Sequence, residues 1–145
     1  MKVRDILHQK GNDIYTIKPY ETVFDAIKKM SDYNIGALLV VDDDKLLGVI
    51  SERDYRDKVV LMGRQSKSTP VKDIMSNQVF CIKPDDDIQL CMKLMTVKRI
   101  RHLPVLDENE ITGVISIGDV VKAVIDEQKY EIDSLRNYIS GGYPG

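Results

Sequence analysis

The stretch Gly48-Val49-Ile50-Ser51-Glu52-Arg53-Asp54 returns as Gly113-Val114-Ile115-Ser116-Ile117-Gly118-Asp119, and the copying reaches far beyond it. Residues 17–55 lie over 82–120 at one offset of about 65 with no gap. Ile17-Lys18-Pro19 falls on Ile82-Lys83-Pro84, Met30 on Met95, Ile35 on Ile100, Leu38 on Leu103, Val40 on Val105 and Asp42 on Asp107. The leaders match as well: Val3-Arg4-Asp5-Ile6-Leu7 resembles Val71-Lys72-Asp73-Ile74-Met75 once a few extra residues near Lys10-Gly11-Asn12 are allowed. One copy of about 50 to 60 residues is too small to bury its sheet face well alone. The repeat therefore predicts two like units packed sheet to sheet about a pseudo-two-fold axis, as one folding unit.

Each copy reads β-α-β-β-α, an α/β (α+β) pattern. A short strand, residues 14–17 or 79–82, stops at Pro19 or Pro84, because proline lacks an N–H and restricts the residue before it. A helix follows with Thr22 or Asp87 as N-cap. Its apolar residues recur at helical spacing: Val23, Ala26, Ile27 and Met30, or Ile88, Cys91, Met92 and Met95. Two apolar runs, 37–41 with 46–51 and 103–106 with 111–116, flank an acidic turn and read as a hairpin. Ser51 and Ser116 open a second helix. The expected boundaries are 1–63 for the first repeat, 64–70 for a connector, 71–126 for the second repeat, and 127–145 for a C-terminal helix and tail.

Composition narrows the function classes. The longest apolar run, residues 35–41, is far below the roughly 20 residues that span a bilayer, and the first residues lack a signal peptide's apolar stretch. Cys81 and Cys91, with only His8 and His102 beside them in composition, form no zinc-ligand grouping and no disulfide framework. A reducing, cytoplasmic setting is expected. A net charge of -2 argues against a general nucleic-acid surface.

Ser-x-x-Asp has two readings. Serine as N-cap and Asp three residues on make a capping box, the carboxylate also suiting the positive helix end. The same hydroxyl and helix N-terminus suit a phosphate, and the same carboxylate can accept both hydroxyls of a ribose. Gly48 and Gly113, lacking side chains, permit close approach of something beside them. Residues alone leave the two readings open.

The pattern Gly-hydrophobic-hydrophobic-Ser-x-x-Asp, with the short strand ending at proline and Arg101-His102-Leu103-Pro104-Val105, resembles a pair of CBS domains, also called a Bateman module. The resemblance covers residues 3–126. It is similar to small stand-alone CBS-pair proteins carrying Asn-Ile-Gly-Ala-Leu-x-Val, Glu-Arg-Asp-Tyr and a Tyr-Ile-x-Gly-Gly tail, here residues 34–40, 52–55 and 138–142. The resemblance implies binding of an adenine nucleotide, AMP, ADP, ATP or NAD, and no catalysis. Carried over residue by residue, Asp54 and Asp119 contact ribose, Ser51 and Ser116 sit near the phosphates, and Arg53 neutralises phosphate charge. The family builds its sites across the pseudo-two-fold. Asp54 is therefore expected with Val79, Phe80, Cys81, Ile100, Arg101 and His102, and Asp119 with Ile14, Tyr15, Thr16, Ile35, Gly36 and Ala37. Arg53, Arg101 and His102 would give the first site the more heavily phosphorylated ligand, whereas Gly118, Gly36 and Ala37 suit a compact or less charged one in the second.

Several residues tempt a further role. His102 has no nucleophile or second acid placed with it, so pocket lining outweighs acid–base work. Cys81 replaces Thr16 beside the expected pocket and suits a small strand residue better than a redox switch. Cys91 replaces Ala26 on a core face. The connector 64–70 is basic and hydroxyl-rich; it is expected as a solvated loop, with reach to a pyrophosphate or a modification as the alternative. Asp42, Asp43 and Asp44 lack the spacing of a calcium loop and read as a turn, so no metal is expected. Beyond residue 126, Ile132, Leu135 and Ile139 form a stripe that calls for a homodimer or a docked partner.

The function expected is a non-enzymatic sensor of energy or redox state, with a ligand favouring one arrangement of the repeats and a regulated protein partner reading it. Absence of G-x-G-x-x-G excludes a Rossmann dehydrogenase but not NAD binding. The alternative is a ligand-independent dimeric scaffold that regulates an enzyme or a thioredoxin. Single-strand nucleic-acid binding is disfavoured by few aromatics and balanced charge.

Overall fold

The computed structural model describes residues 1–140, a mixed α/β chain with two small sheets and five α-helices among them. It divides into a contiguous unit, Asp13–Phe80, and a split unit made of Met1–Asn12 and the chain from Cys81 onward.

In the contiguous unit β1 (Thr16–Ile17) runs parallel to β2 (Ala37–Asp42), which pairs antiparallel with β3 (Lys45–Ser51). The hairpin turns through Asp43 and Asp44, whose φ angles of 51° and 60° are those a two-residue turn of left-handed residues requires. Helix α2 (Val23–Tyr33) starts where expected, the Thr22 hydroxyl accepting the Asp25 N–H at 3.1 Å. Its Val23, Ala26 and Met30 join Ile17, Leu38, Val40 and Ile50 in the core. Asn34, at φ 52°, ends the helix in a left-handed cap, a conformation asparagine tolerates, and so delivers residues 35–37 to the mouth of β2. After Ser51 comes α3 (Glu52–Tyr55), then a π-helical turn (Arg56–Val60).

The connector is largely exposed, as its composition suggested, but it is anchored at its end. The Thr69 carbonyl accepts the Val23 N–H at 2.9 Å, the Thr69 hydroxyl donates to the Gln65 carbonyl at 2.8 Å, and Thr69 is buried. Lys67 lies over the Phe24 ring at 4.9 Å. The first helical turn of α2 needs acceptors for its N–H groups, and the connector supplies one.

The split unit carries α1 (Val3–Lys10), α4 (Ile88–Lys98), the hairpin β4 (His102–Asp107) and β5 (Glu110–Ser116), and α5 (Ile117–Ser140). Three expectations are corrected here. Residues 79–82 form no strand, only a bridge from Ile82 to Val105. The equivalent of Leu39, whose N–H reaches the Tyr15 carbonyl at 3.2 Å, is Pro104, which has no N–H to repeat that bond. Asp87 holds the N-cap position of α4 without a side-chain cap bond, its carboxylate instead 3.9 Å from the terminal amine of Met1. Met92 faces outward at 38% exposure, while Ile88, Cys91 and Met95 are buried.

The compact units cut across the repeats, because the leaders are exchanged. Val3 and Arg4 donate their N–H groups to the carbonyls of Asp86 and Pro84. Val71 and Lys72 donate to Glu21 and Pro19, the same positions one copy earlier. Val3, Ile6 and Leu7 are buried in the split unit, and Val71 and Ile74 lie in the contiguous unit's core. At about 1.5–3 kcal/mol for each fully buried aliphatic side chain, each leader is a structural member of the unit it closes.

Candidate functional site

Both Ser-x-x-Asp segments fold as capping boxes. The Ser51 N–H donates to Asp54 Oδ2 at 3.0 Å, the Ser51 hydroxyl donates to the same oxygen at 3.1 Å, and the Asp54 N–H donates to Ser51 Oγ at 3.2 Å. In the split unit the Ser116 N–H donates to Asp119 Oδ2 at 2.8 Å and the Asp119 N–H to Ser116 Oγ at 3.2 Å. One more donor in each first turn is engaged as well: the Glu52 N–H reaches the Gly36 carbonyl at 3.0 Å and the Ile117 N–H the Arg101 carbonyl at 2.8 Å. The backbone donors at these ends are thus largely spoken for. The ionised carboxylates, with lone pairs to spare, and their cations are the groups that face chemistry.

Each carboxylate has a lysine. Lys58, one helical turn beyond Asp54, places Nζ 3.0 Å from Asp54 Oδ1 and donates to the Ile74 carbonyl at 3.0 Å. Lys10, at the end of α1, places Nζ 2.7 Å from Asp119 Oδ2 and donates to the Val114 carbonyl at 2.8 Å. Burial alone would raise the Asp119 carboxyl, but the Lys10 ammonium and the Ser116 bonds outweigh it and hold it below the usual carboxylate range. Neither lysine was among the expected site residues. Lys58 was findable, since a helical i,i+4 pair is a spacing signal. Lys10 stands 109 residues from its partner and carried no signal.

Gly48 and Gly113 have a different cause from the one their place beside the motif suggested. A Cβ on Gly48 would stand 2.6 Å from the Ser76 carbonyl oxygen and 2.9 Å from Met75 Sδ; on Gly113 it would stand 2.6 Å from Leu7 Cδ2. What approaches these glycines in the structure is the exchanged leader. In the contiguous unit that approach is sealed by two backbone bonds of 2.9 Å between Val49 and Ser76.

The contiguous unit holds Ile14, Tyr15, Thr16, Ile35, Gly36, Ala37, Ser51, Arg53, Asp54, Val79 and Phe80; the split unit holds Cys81, Ile100, Arg101, His102, Ser116 and Asp119. All are half-buried except Arg53 and Arg101, which are exposed. Within each unit the strand start flanks its own serine, Ala37 pairing with Ser51 and His102 with Ser116. Tyr15 packs against Tyr33 with ring centroids 4.3 Å apart. Burial pushes the His102 imidazole below its ordinary value; Asp119 opposes this, while Lys10 and Arg101 reinforce it. Burial also pushes up the Cys81 thiol, and with Asp86 takes Cys91 to about 11, so neither is an activated thiolate. A groove of about 780 Å³ lined by Arg4, Cys81, Lys83 and Asp107 lies at the hairpin-turn end of the split unit. His102 and Ser116 pair at the opposite end of that hairpin, so the groove is not the motif's site.

The CBS-domain family model matches residues 3–60 and again 71–126. The chain belongs to the CBS-domain family. It is similar to the mitochondrial CBS domain-containing protein CBSX3 of Arabidopsis thaliana, 46% identical over 128 residues that make up 85% of this chain and 62% of that one. It thus spans less than two thirds of that relative's length. A solved CBS-domain protein from Burkholderia ambifaria superposes with a TM-score of 0.86 at 50% identity, covering 88% of this chain and 96% of that one. A CBS domain protein from Pyrobaculum aerophilum, complexed with AMP, shares the fold at a TM-score of 0.73 and 20% identity, covering 82% of this chain and 89% of that one. Among the described residues no helix is long and apolar enough to cross a membrane.

Proposed function

We propose that this chain is a non-enzymatic regulatory CBS pair that binds an adenine nucleotide at its Ser-x-x-Asp ends and passes occupancy to a protein partner, working as a homodimer. The observation that carries this is the carboxylate and ammonium group set about 3 Å apart at each end, Asp54 with Lys58 and Asp119 with Lys10. A ribose presents two hydroxyl donors, which an ionised carboxylate accepts, and a phosphate presents acceptors, which an ammonium satisfies. Asp54 and Asp119 take the ribose. Ser51 and Ser116, with Arg53 and the two lysines, face the phosphates. The half-buried residues named above line the remainder, and AMP in the Pyrobaculum protein fits the same ligand class.

Among AMP, ADP, ATP and NAD, the first three differ chiefly in charge. Lys10, together with Arg101 and His102 in the same unit, makes the Asp119 end richer in cationic and donor groups than the glycines near it implied. A ligand that takes over the Asp119 carboxylate frees Lys10, so its differential affinity for the two states of α1 is the signal.

Thermal unfolding against AMP, ADP, ATP, NAD and NADH tests this, with Asp54→Ala and Asp119→Ala beside the wild type. A dose-dependent rise of several degrees that one substitution abolishes is expected. A flat panel in protein free of co-purified nucleotide would leave the capping boxes with a purely structural role and favour the ligand-independent scaffold.

A further inference from the structure

Helix α5 changes character along its length. Val120 and Ala123 are buried against the body of the split unit, whereas every residue from 128 to 139 is exposed. A helix segment of this length with water on every side is marginal by itself. Its apolar residues are nonetheless not scattered. Val121, Ile125, Ile132, Leu135 and Ile139, between 46% and 63% exposed, fall with Gln128 at alternating spacings of four and three. These are the a and d positions of a heptad, with Ile125, Ile132 and Ile139 at a, and Val121, Gln128 and Leu135 at d.

The pattern selects both the number of strands and their direction. Within a parallel coil, isoleucine at every a position, with Leu135 among the d positions, favours two strands; direction follows from the flanking charges. The flanking e positions are Lys122, Lys129 and Arg136, all cations; the g positions are Val124, Glu131 and Tyr138. In an antiparallel pair e faces e, and three cations would confront three cations. In a parallel pair g faces the e position five residues further along the other chain, which sets Glu131 against Arg136 on both sides of the two-fold axis. Gln128 at d supplies the single polar core position that fixes register at some cost in stability.

We infer that residues 121–139 of α5 pair with the same residues of a second copy of this chain as a parallel, in-register two-stranded coiled coil. This deepens the homodimer of the proposed function and stands on it. With fewer than about three heptads the seam is short, so the association is concentration-dependent.

Sedimentation equilibrium of the full chain, wild type against Ile132→Glu/Leu135→Glu, measures the seam. Both positions are exposed, so the fold survives, and unchanged thermal unfolding of the dilute monomer verifies it. The double substitution is expected to weaken dimerisation by at least about a hundredfold. Direction is read from Gln128→Cys and Leu135→Cys, made singly and oxidised, with the wild type controlling for Cys81 and Cys91. A parallel seam cross-links both; an antiparallel one cross-links at most one. A dimer indifferent to the glutamates overturns the seam and leaves a dimer built elsewhere, and cross-linking at one cysteine alone overturns the parallel register. A wild type that stays monomeric at high concentration overturns the seam and the homodimer together.

Discussion

The two Ser-x-x-Asp ends reach the same electrostatic arrangement by opposite routes. In the contiguous unit the helix after the motif supplies the lysine and the exchanged leader supplies a carbonyl, Lys58 joining Asp54 to Ile74. In the split unit the leader supplies the lysine and the sheet supplies the carbonyl, Lys10 joining Asp119 to Val114. The residues are not equivalents: the position matching Lys58 is the buried Ala123, and Lys10 belongs to the extra turn that makes α1 longer than the leader of the second copy. What the two copies keep is a tie from the carboxylate to the leader, not a residue. A ligand of the proposed kind at Asp119 would therefore compete for a side chain of α1, whereas one at Asp54 would compete for a side chain of its own helix.

The sharpest way to break this symmetry is at the glycines. Gly48→Ala drives a Cβ against the Ser76 carbonyl, which two backbone bonds hold in place, and is expected to destabilise by about 2–3 kcal/mol. Gly113→Ala meets only the end of the Leu7 side chain, which can turn, so about 1 kcal/mol is expected. Urea unfolding of the two variants measures the gap, and equal losses would show that the leaders are held alike.

Acid should act on the same difference. The Asp119 pKa is lowered on folding, so its contribution is fully present above the unfolded value and is lost as pH falls through the folded one. Lys10→Met removes the chief opposing charge, and its stability should then decline less steeply than that of the wild type between about pH 5 and pH 2. Parallel slopes would mean that Lys10 does not set the Asp119 titration. The smallest effect belongs to the ion pairs themselves. Double-mutant cycles on Lys10–Asp119 and Lys58–Asp54 should each give about 0.5–1 kcal/mol, discounted because the lysine side chains are 35% and 47% exposed.

Much of this was legible in the sequence. Local rules put the cap at Thr22, the turn at Asp43 and Asp44, the core face of α2 and both capping boxes in their places, because each is settled by residues within one or two turns of chain. Exchange of the leaders was not legible. Alignment of two copies shows which segments are alike, and Val3-Arg4-Asp5-Ile6-Leu7 is like Val71-Lys72-Asp73-Ile74-Met75 whichever body it covers. Lys10 escaped for the same reason, its partner being set by that exchange. The missing strand near Ile82 was written in Pro104, but only its register opposite Leu39 in the other copy made it readable.

Exchanged leaders also order the events of synthesis. Everything that Asp13–Phe80 needs, including the Val71 and Ile74 that close it, is available once residue 80 has cleared the ribosomal tunnel. The first twelve residues must wait, with Val3, Ile6 and Leu7 uncovered, until β5 and the start of α5 arrive more than a hundred residues later. The segment 3–7 is thus made more than a hundred residues before the elements that cover it, and the nascent protein carries a finished unit beside uncovered apolar side chains that invite a chaperone.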